Sequence, residues 1–171
     1  MEYQWYAVYT RSRFEKKIST QIQEMGIECY LPLNKVLRQW KDRKKWVEEP
    51  LLRSYVFVKV SQKEYYEIFK VEGVVRYVCF SGKAVPIKES QIETLKIISS
   101  NKIPVVVLEK NNIPPGQPIK IVSGLFTGFE GEMVKYMGKN KILVRIEQIG
   151  RILSVNLPID QIEIAEKSTE K

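Results

Sequence analysis

Residues 35–58 read KVLRQWKDRKKWVEEPLLRSYVFV, a basic ribbon that runs straight into an apolar strand. Six residues between Lys35 and Lys45 are basic and only Asp42 opposes them, with Trp40 and Trp46 flanking the densest part. Side chains alternate along a strand, so Tyr55 and Phe57 fall on one face and Val56, Val58 and Val60 on the other. The valines are natural core against helices. The aromatic face is therefore expected to stay open for a partner, because monomers seldom leave such a patch uncovered, the alternative being that Pro86–Ser100 covers it as ordinary core. Trp40 and Trp46 are expected either to stack on bases or to clasp the two arms of the ribbon as a cross-strand pair.

A chain of 171 residues has room for one domain or two small ones. Its net charge of +8 is uneven, with 18 basic against 12 acidic residues in 1–100 and 10 against 8 in 101–171. Most of the first excess sits in the Lys35–Lys45 segment. A clustered basic patch is the electrostatic footprint of nucleic-acid binding. There is no histidine, which removes the usual general base and most zinc sites. No enzyme, cofactor or metal is expected. Cys29 and Cys79 lie in the apolar runs IECYL and RYVCF, outside any CxxC spacing, and are expected to be buried free thiols of a reducing compartment. With no leader and no apolar run of spanning length, a cytoplasmic monomer without a membrane partner is expected.

Upstream of residue 101, strands alternate with helical signals. Ser12 with Glu15, and Ser61 with Glu64, each spell a capping box. The first is followed by Phe14, Ile18, Ile22 and Met25 at helical spacing and stopped by Gly26; the second is expected to bury Tyr65, Ile68 and Phe69. A third helix is read over Pro86–Ser100, with Ile92, Leu95 and Ile98 or Ile97 inward. This is an α+β arrangement, helices packed on one antiparallel sheet. Residues 101–113 are rich in Asn and Pro and read as a linker, although Val105–Leu108 fits either a strand or an extended connection. Downstream, PIKIVS, GEMVKYM, KILVRI, RILSVNL and IEI are five short strands separated by turn residues, which suits a small closed barrel. Gly124, Gly128 and Gly131 lack the Lys-Ser or Lys-Thr of a phosphate loop and read as turns of that barrel. Residues 167–171 form a polar tail. The β-branched residues and glycines of 114–165 favour strands over any helical alternative.

WYAVYTRSRFEKKI, GIECYLPL and EEPLLRSYVFVKV together resemble the N-terminal domain of the NusG transcription elongation factors. IPPGQPIKIVSGLFTGFEGEMV with IGRILSV resembles their C-terminal KOW domain, an SH3-like barrel. The block LRQWKDRKKWVEEPLLRSYVFV looks more like the UpxY and RfaH-type paralogues, antiterminators of long polysaccharide operons. The tripeptide Leu52-Arg53-Ser54 stands where the family commonly has Phe-Pro-Gly. The resemblance implies domains at 1–100 and 114–166. It implies a factor that holds the RNA polymerase clamp closed and suppresses pausing and termination, in one operon or, in the alternative, generally. A ribosome-associated KOW protein that binds RNA is the other alternative.

By the same resemblance, Tyr9, Leu52, Tyr55, Phe57, Tyr77 and Phe80 would line the depression that grips the clamp. Arg11, Arg13, Lys17 and Gln21 would face the non-template DNA of the transcription bubble, Gln21 reading a base edge. Arg38, Lys41, Arg43, Lys44 and Lys45 would contact phosphates, as their clustering suggests on its own. Phe126, Ile149 and Arg151 would receive a ribosomal protein or a termination factor on the KOW barrel.

Overall fold

Strand β1 (Gln4–Thr10) pairs antiparallel with β5 (Tyr55–Val60) and β6 (Val74–Tyr77), and β2 (Glu28–Tyr30) pairs with the far edge of β5. Helix α1 (Glu15–Glu24) packs on this sheet through Ile18 and Ile22, which are buried with Val8, Cys29, Val56, Val58, Val60 and Ile68. Each such aliphatic side chain removed from water contributes about 1.5–3 kcal/mol. Gly26, at φ +79°, ends the helix in the left-handed conformation. Strands β3 (Leu33–Gln39) and β4 (Lys44–Pro50) form a separate hairpin, and β7 (Cys79–Phe80) with β8 (Lys83–Ala84) a second, tiny one. The computed structural model describes residues 2–101, 103–109, 116–136, 139–156 and 161–164; the expected tail at 167–171 lies outside them.

Two local expectations are overturned by tertiary contacts. The capping box at Ser12 does not form: α1 starts at Glu15, and no side chain caps its first amides. Glu15 is buried and accepts the Ser54 N–H at 2.8 Å instead. At the second box Glu64 does reach back, accepting the Ser61 N–H at 2.9 Å and its hydroxyl at 2.7 Å. There the chain forms only turns and a 3-10 turn at Glu67–Lys70, because Val71 is already extended on its way into β6. Met25 and Phe69, expected inward, are exposed, and so is Cys79, which sits on the tiny hairpin; Cys29 is buried.

Packing divides the chain into two compact units, Met1–Glu89 and Ser90–Lys171. The division falls at the first residue of the third helix. That helix, α2 (Glu89–Ser100), buries Ile92, Leu95 and Ile98. The second unit also holds β9 (Val105–Glu109), β10 (Gln117–Ile121), β11 (Glu130–Tyr136), β12 (Lys139–Ile146), β13 (Arg151–Val155) and β14 (Ile162–Ile164). They form one antiparallel sheet in the order β14-β10-β11-β12-β13-β9. The five expected strands are therefore joined by a sixth, β9, inside the segment read as a linker. Its Leu108 packs against buried Leu143 and Ile152, which is what holds it in the sheet. Arg145 and Glu132 meet at 2.7 Å in a mostly buried ion pair, and Glu132 also accepts the Gly116 N–H at 2.8 Å. No helix among the described residues is long and apolar enough to cross a membrane.

Candidate nucleic-acid and partner interface

The β3–β4 register pairs Arg38 with Lys45, Leu37 with Trp46 and Gln39 with Lys44, closed by Trp40 donating its N–H to the Arg43 carbonyl at 2.8 Å. Residues Leu37–Trp46 are all exposed, Trp46 at 65% and Trp40 at 55%. The two tryptophans do not clasp each other. Trp46 lies across from Leu37, while Trp40 sits in the loop, since the register places an even-numbered strand residue opposite an odd one. Lys41, Lys44 and Lys45 form no ion pair among the described residues, and Arg43 has only Asp42 at 3.9 Å. Open cations beside open indole rings are the combination that tracks a single strand of nucleic acid by charge and by stacking. Arg38 differs: its Nε and one Nη donate to the two Glu49 oxygens at 2.8 Å each. That pairing holds the Glu49 carboxyl below the usual carboxylate range and raises Arg38.

A cleft of about 410 Å³ lies between the approach to α1 and the base of this hairpin, lined by Ser12, Arg13, Glu15, Lys16, Arg38, Glu49, Pro50 and Arg53. It brings Arg13 and Arg38, far apart in sequence, to one place. Arg53 showed itself in the sequence only as a departure from the Phe-Pro-Gly pattern. Arg13, which lines the cleft, and Ser54, next in the chain to Arg53, are held at φ +69° and +63°, conformations that L residues seldom adopt. Arg11 is exposed. Lys17 is engaged, 2.8 Å from Glu72 and over the Phe14 ring. Gln21 is half-buried, with its amide oxygen out of contact with solvent.

The aromatic face is only partly open. Register places Trp5, Ala7, Phe57 and Tyr9 with Tyr55 on one side of the sheet, and Trp5, Ala7 and Phe57 are all buried, Phe57 at 0% exposure. Strand parity sorts side chains between two faces but does not say how much of each is covered, and here one is covered fully and the other in large part. Leu52 is buried as well. Tyr77 lies on the opposite, helix-covered side, 1% exposed, stacked on Tyr65 at 4.1 Å with its hydroxyl donating to the Tyr65 carbonyl at 2.8 Å. Burial there pushes the Tyr77 phenol well up. What remains accessible is the Tyr9–Tyr55 pair, rings 5.6 Å apart, with exposed Arg76 across from Tyr9 on β6. Phe80, 77% exposed, stands on the β7–β8 hairpin, whose Ser81-Gly82 turn has both residues at positive φ. Arg76 was also missed; its even spacing from Val74 carried no signal of function.

In the second unit Phe126 and Ile149 are buried and Arg151 is half-buried, so the first two are core and not a partner surface. Phe126 turns inward and packs edge-on with Phe129 at 6.3 Å, leaving Leu125 as the exposed apolar residue of that turn.

A family model described as transcription termination factor NusG matches residues 3–96. The transcription termination/antitermination protein NusG of Lactococcus lactis is 26% identical over 93% of this chain and 91% of its own length. That of Bacillus subtilis is 26% identical over 95% and 99%. The solved structure titled "Domain interaction in Thermotoga maritima NusG" is similar across 97% of this chain and 99% of that one, with 27% identity and a TM-score of 0.51.

Proposed function

The chain belongs to the NusG family of transcription termination/antitermination factors, and from that premise we propose that it rides on RNA polymerase while its β3–β4 hairpin tracks a single strand of nucleic acid. One observation carries the reading. The hairpin holds Lys41, Arg43, Lys44 and Lys45 open beside Trp40 and Trp46, whereas the sheet it springs from buries most of both faces and leaves Tyr9 and Tyr55 accessible on one. The polymerase surface in this proposal is Tyr9 with Tyr55, flanked by Arg76, and Phe80 on its own hairpin. Leu52, Phe57 and Tyr77 support that surface from beneath. No bond is made or broken: binding preferentially to the elongating, clamp-closed polymerase shifts population away from the paused state. The second unit, read as a KOW-type barrel, recruits a further protein, a ribosomal protein or a termination factor, through the Leu125 turn.

Reconstituted elongation with purified polymerase tests the proposal. The wild-type chain is expected to shorten pauses. A quadruple reversal of Lys41, Arg43, Lys44 and Lys45 to Glu is expected to lose that effect and the photocrosslink to the displaced strand. Equal crosslinking and equal pause suppression by the variant would overturn it. The 37–58 block supports action on one polysaccharide operon, and the similarity to general factors supports a general role. Transcript profiles of a deletion strain decide, by losing distal reads in one operon or in many.

A further inference from the structure

We propose that the cleft between α1 and the hairpin base binds one phosphodiester group of the nucleic-acid strand, with Arg13, Lys16 and Arg53 as its ligands and Arg38 as a positioning residue. The inference rests on the single-strand reading above and names a second contact point for that strand. Its starting point is how differently the cations in the cleft are committed. Arg38 spends its fork on Glu49, with both oxygens held at 2.8 Å, and so already has its anion. Arg53 approaches the same carboxylate only to 3.8 Å and is 76% exposed at its side chain. Arg13 and Lys16 are exposed and form no ion pair among the described residues. The other carboxylate, Glu15, is buried and turned to the Ser54 amide. Three cations therefore face a concave space whose two carboxylates are already occupied, an arrangement complementary to a monoanion.

The backbone supports the same assignment. Arg13 and Ser54 are both in the left-handed region, which L residues adopt only under strain. Strain of this kind persists where the surroundings over-determine it, and it clusters at binding sites. Here the two strained residues set Arg13 and Arg53 at the cleft. The Glu15 carboxylate pins Ser54, while the Ser54 carbonyl accepts the Thr10 N–H at 2.9 Å. A strand leaving the cleft passes Arg38 and meets Lys45 directly across the hairpin. The site therefore opens onto the ribbon, as suits a link in a polyanion rather than a free ion.

The test uses the full chain and a labelled oligothymidylate of about twelve nucleotides, within the usual site size for single-strand binders. Affinity is measured by anisotropy across a salt series. Arg53→Gln and Arg13→Gln are each expected to make the slope of log K against log salt shallower by about 0.7, the loss of one single-strand phosphate contact. Glu49→Gln is expected to tighten binding, because it removes the competing anion and frees two guanidinium groups; a merely structural role would not produce a gain. The proposal is overturned if the Arg53 and Arg13 variants keep the wild-type slope while Lys44→Glu with Lys45→Glu still lowers it. In that case the hairpin reading stands without the cleft. A wild-type chain that does not bind the strand sinks both. Displacement of the strand by inorganic phosphate at matched ionic strength, lost in Arg53→Gln, would assign the cleft to a free anion and overturn the phosphodiester assignment.

Discussion

Hairpin Leu33–Pro50 and strand Tyr55–Val60 are separated by only four residues, yet no residue of the hairpin strands is buried and all of β5 but Tyr55 and Lys59 is. Both alternate, and both carry aromatics among β-formers. The hairpin pairs only with itself, so its cross-strand partners are its own charges: Arg38 with Glu49 at 2.8 Å, and Lys35 with Glu48 at 3.7 Å. Strand β5 lies between β1 and β2 inside a four-stranded sheet, paired along its whole length with β1 and at Phe57, Val58 and Lys59 with β2 as well. Local pattern is alike in the two segments. What differs is the number of elements each one meets, and that sets whether an aromatic is core or contact.

The largest test of that contrast is Phe57→Ala, expected to cost about 3–5 kcal/mol in chemical denaturation, as for a truncated aromatic inside a packed core. Tyr55→Ala should cost far less and leave the circular dichroism unchanged. A Phe57→Ala protein as stable as the wild type would erase the distinction.

The turn joining the two segments offers a change of opposite sign. Ser54 stands at φ +63° where glycine is at ease. In Ser54→Gly, relief of about 1–2 kcal/mol of left-handed strain should exceed about 0.4–1 kcal/mol of added unfolded-chain entropy. A modest rise in melting temperature is expected, and a fall would show that Ser54 is not strained.

On the hairpin itself, Trp46→Ala should stay within about 0.5 kcal/mol of wild type, since the ring is exposed and caps no core. A larger loss, read by the same denaturation series, would mean that the indole packs on the domain.

The smallest effect is on pH dependence. The hydrogen bond from Arg38 holds the Glu49 carboxyl below its ordinary range, so this pair's contribution is present above the unfolded carboxyl range and lost as pH falls through the depressed folded value. Because the pair is exposed, the change should appear in hairpin chemical shifts and not in global stability. Hairpin shifts that titrate at the ordinary glutamate pKa would argue that the pair does not form in solution.

Much of this protein is legible from residue types. The ribbon Lys35–Lys45 could only be a charged turn between strands, the stripe Ile18–Ile22 a helix face, and PIKIV, KILVRI and RILSV strands, because each rests on contacts within a few residues. The capping boxes show where that reasoning stops: Ser61–Glu64 formed its bonds without an α-helix, and Glu15 left Ser12 for a backbone amide 39 residues away. The interface was legible in outline, as a cationic ribbon and a tyrosine pair, but not in membership. Phe57, Tyr77, Phe126 and Ile149 are the residue types a partner site prefers, and equally those a core prefers.

The sequence by itself determined the charge asymmetry, most of the strands, the first and last helices and the family, since these depend on composition and local periodicity. Only the tertiary structure decided which face of β5 lies open, that Val105–Glu109 is a sixth strand, and that Arg13, Arg38 and Arg53 share one cleft. The reason is physical. Burial and ion pairing are properties of what a side chain meets across space, and residues 13, 38 and 53 meet only once the helix and the hairpin have docked on the same sheet.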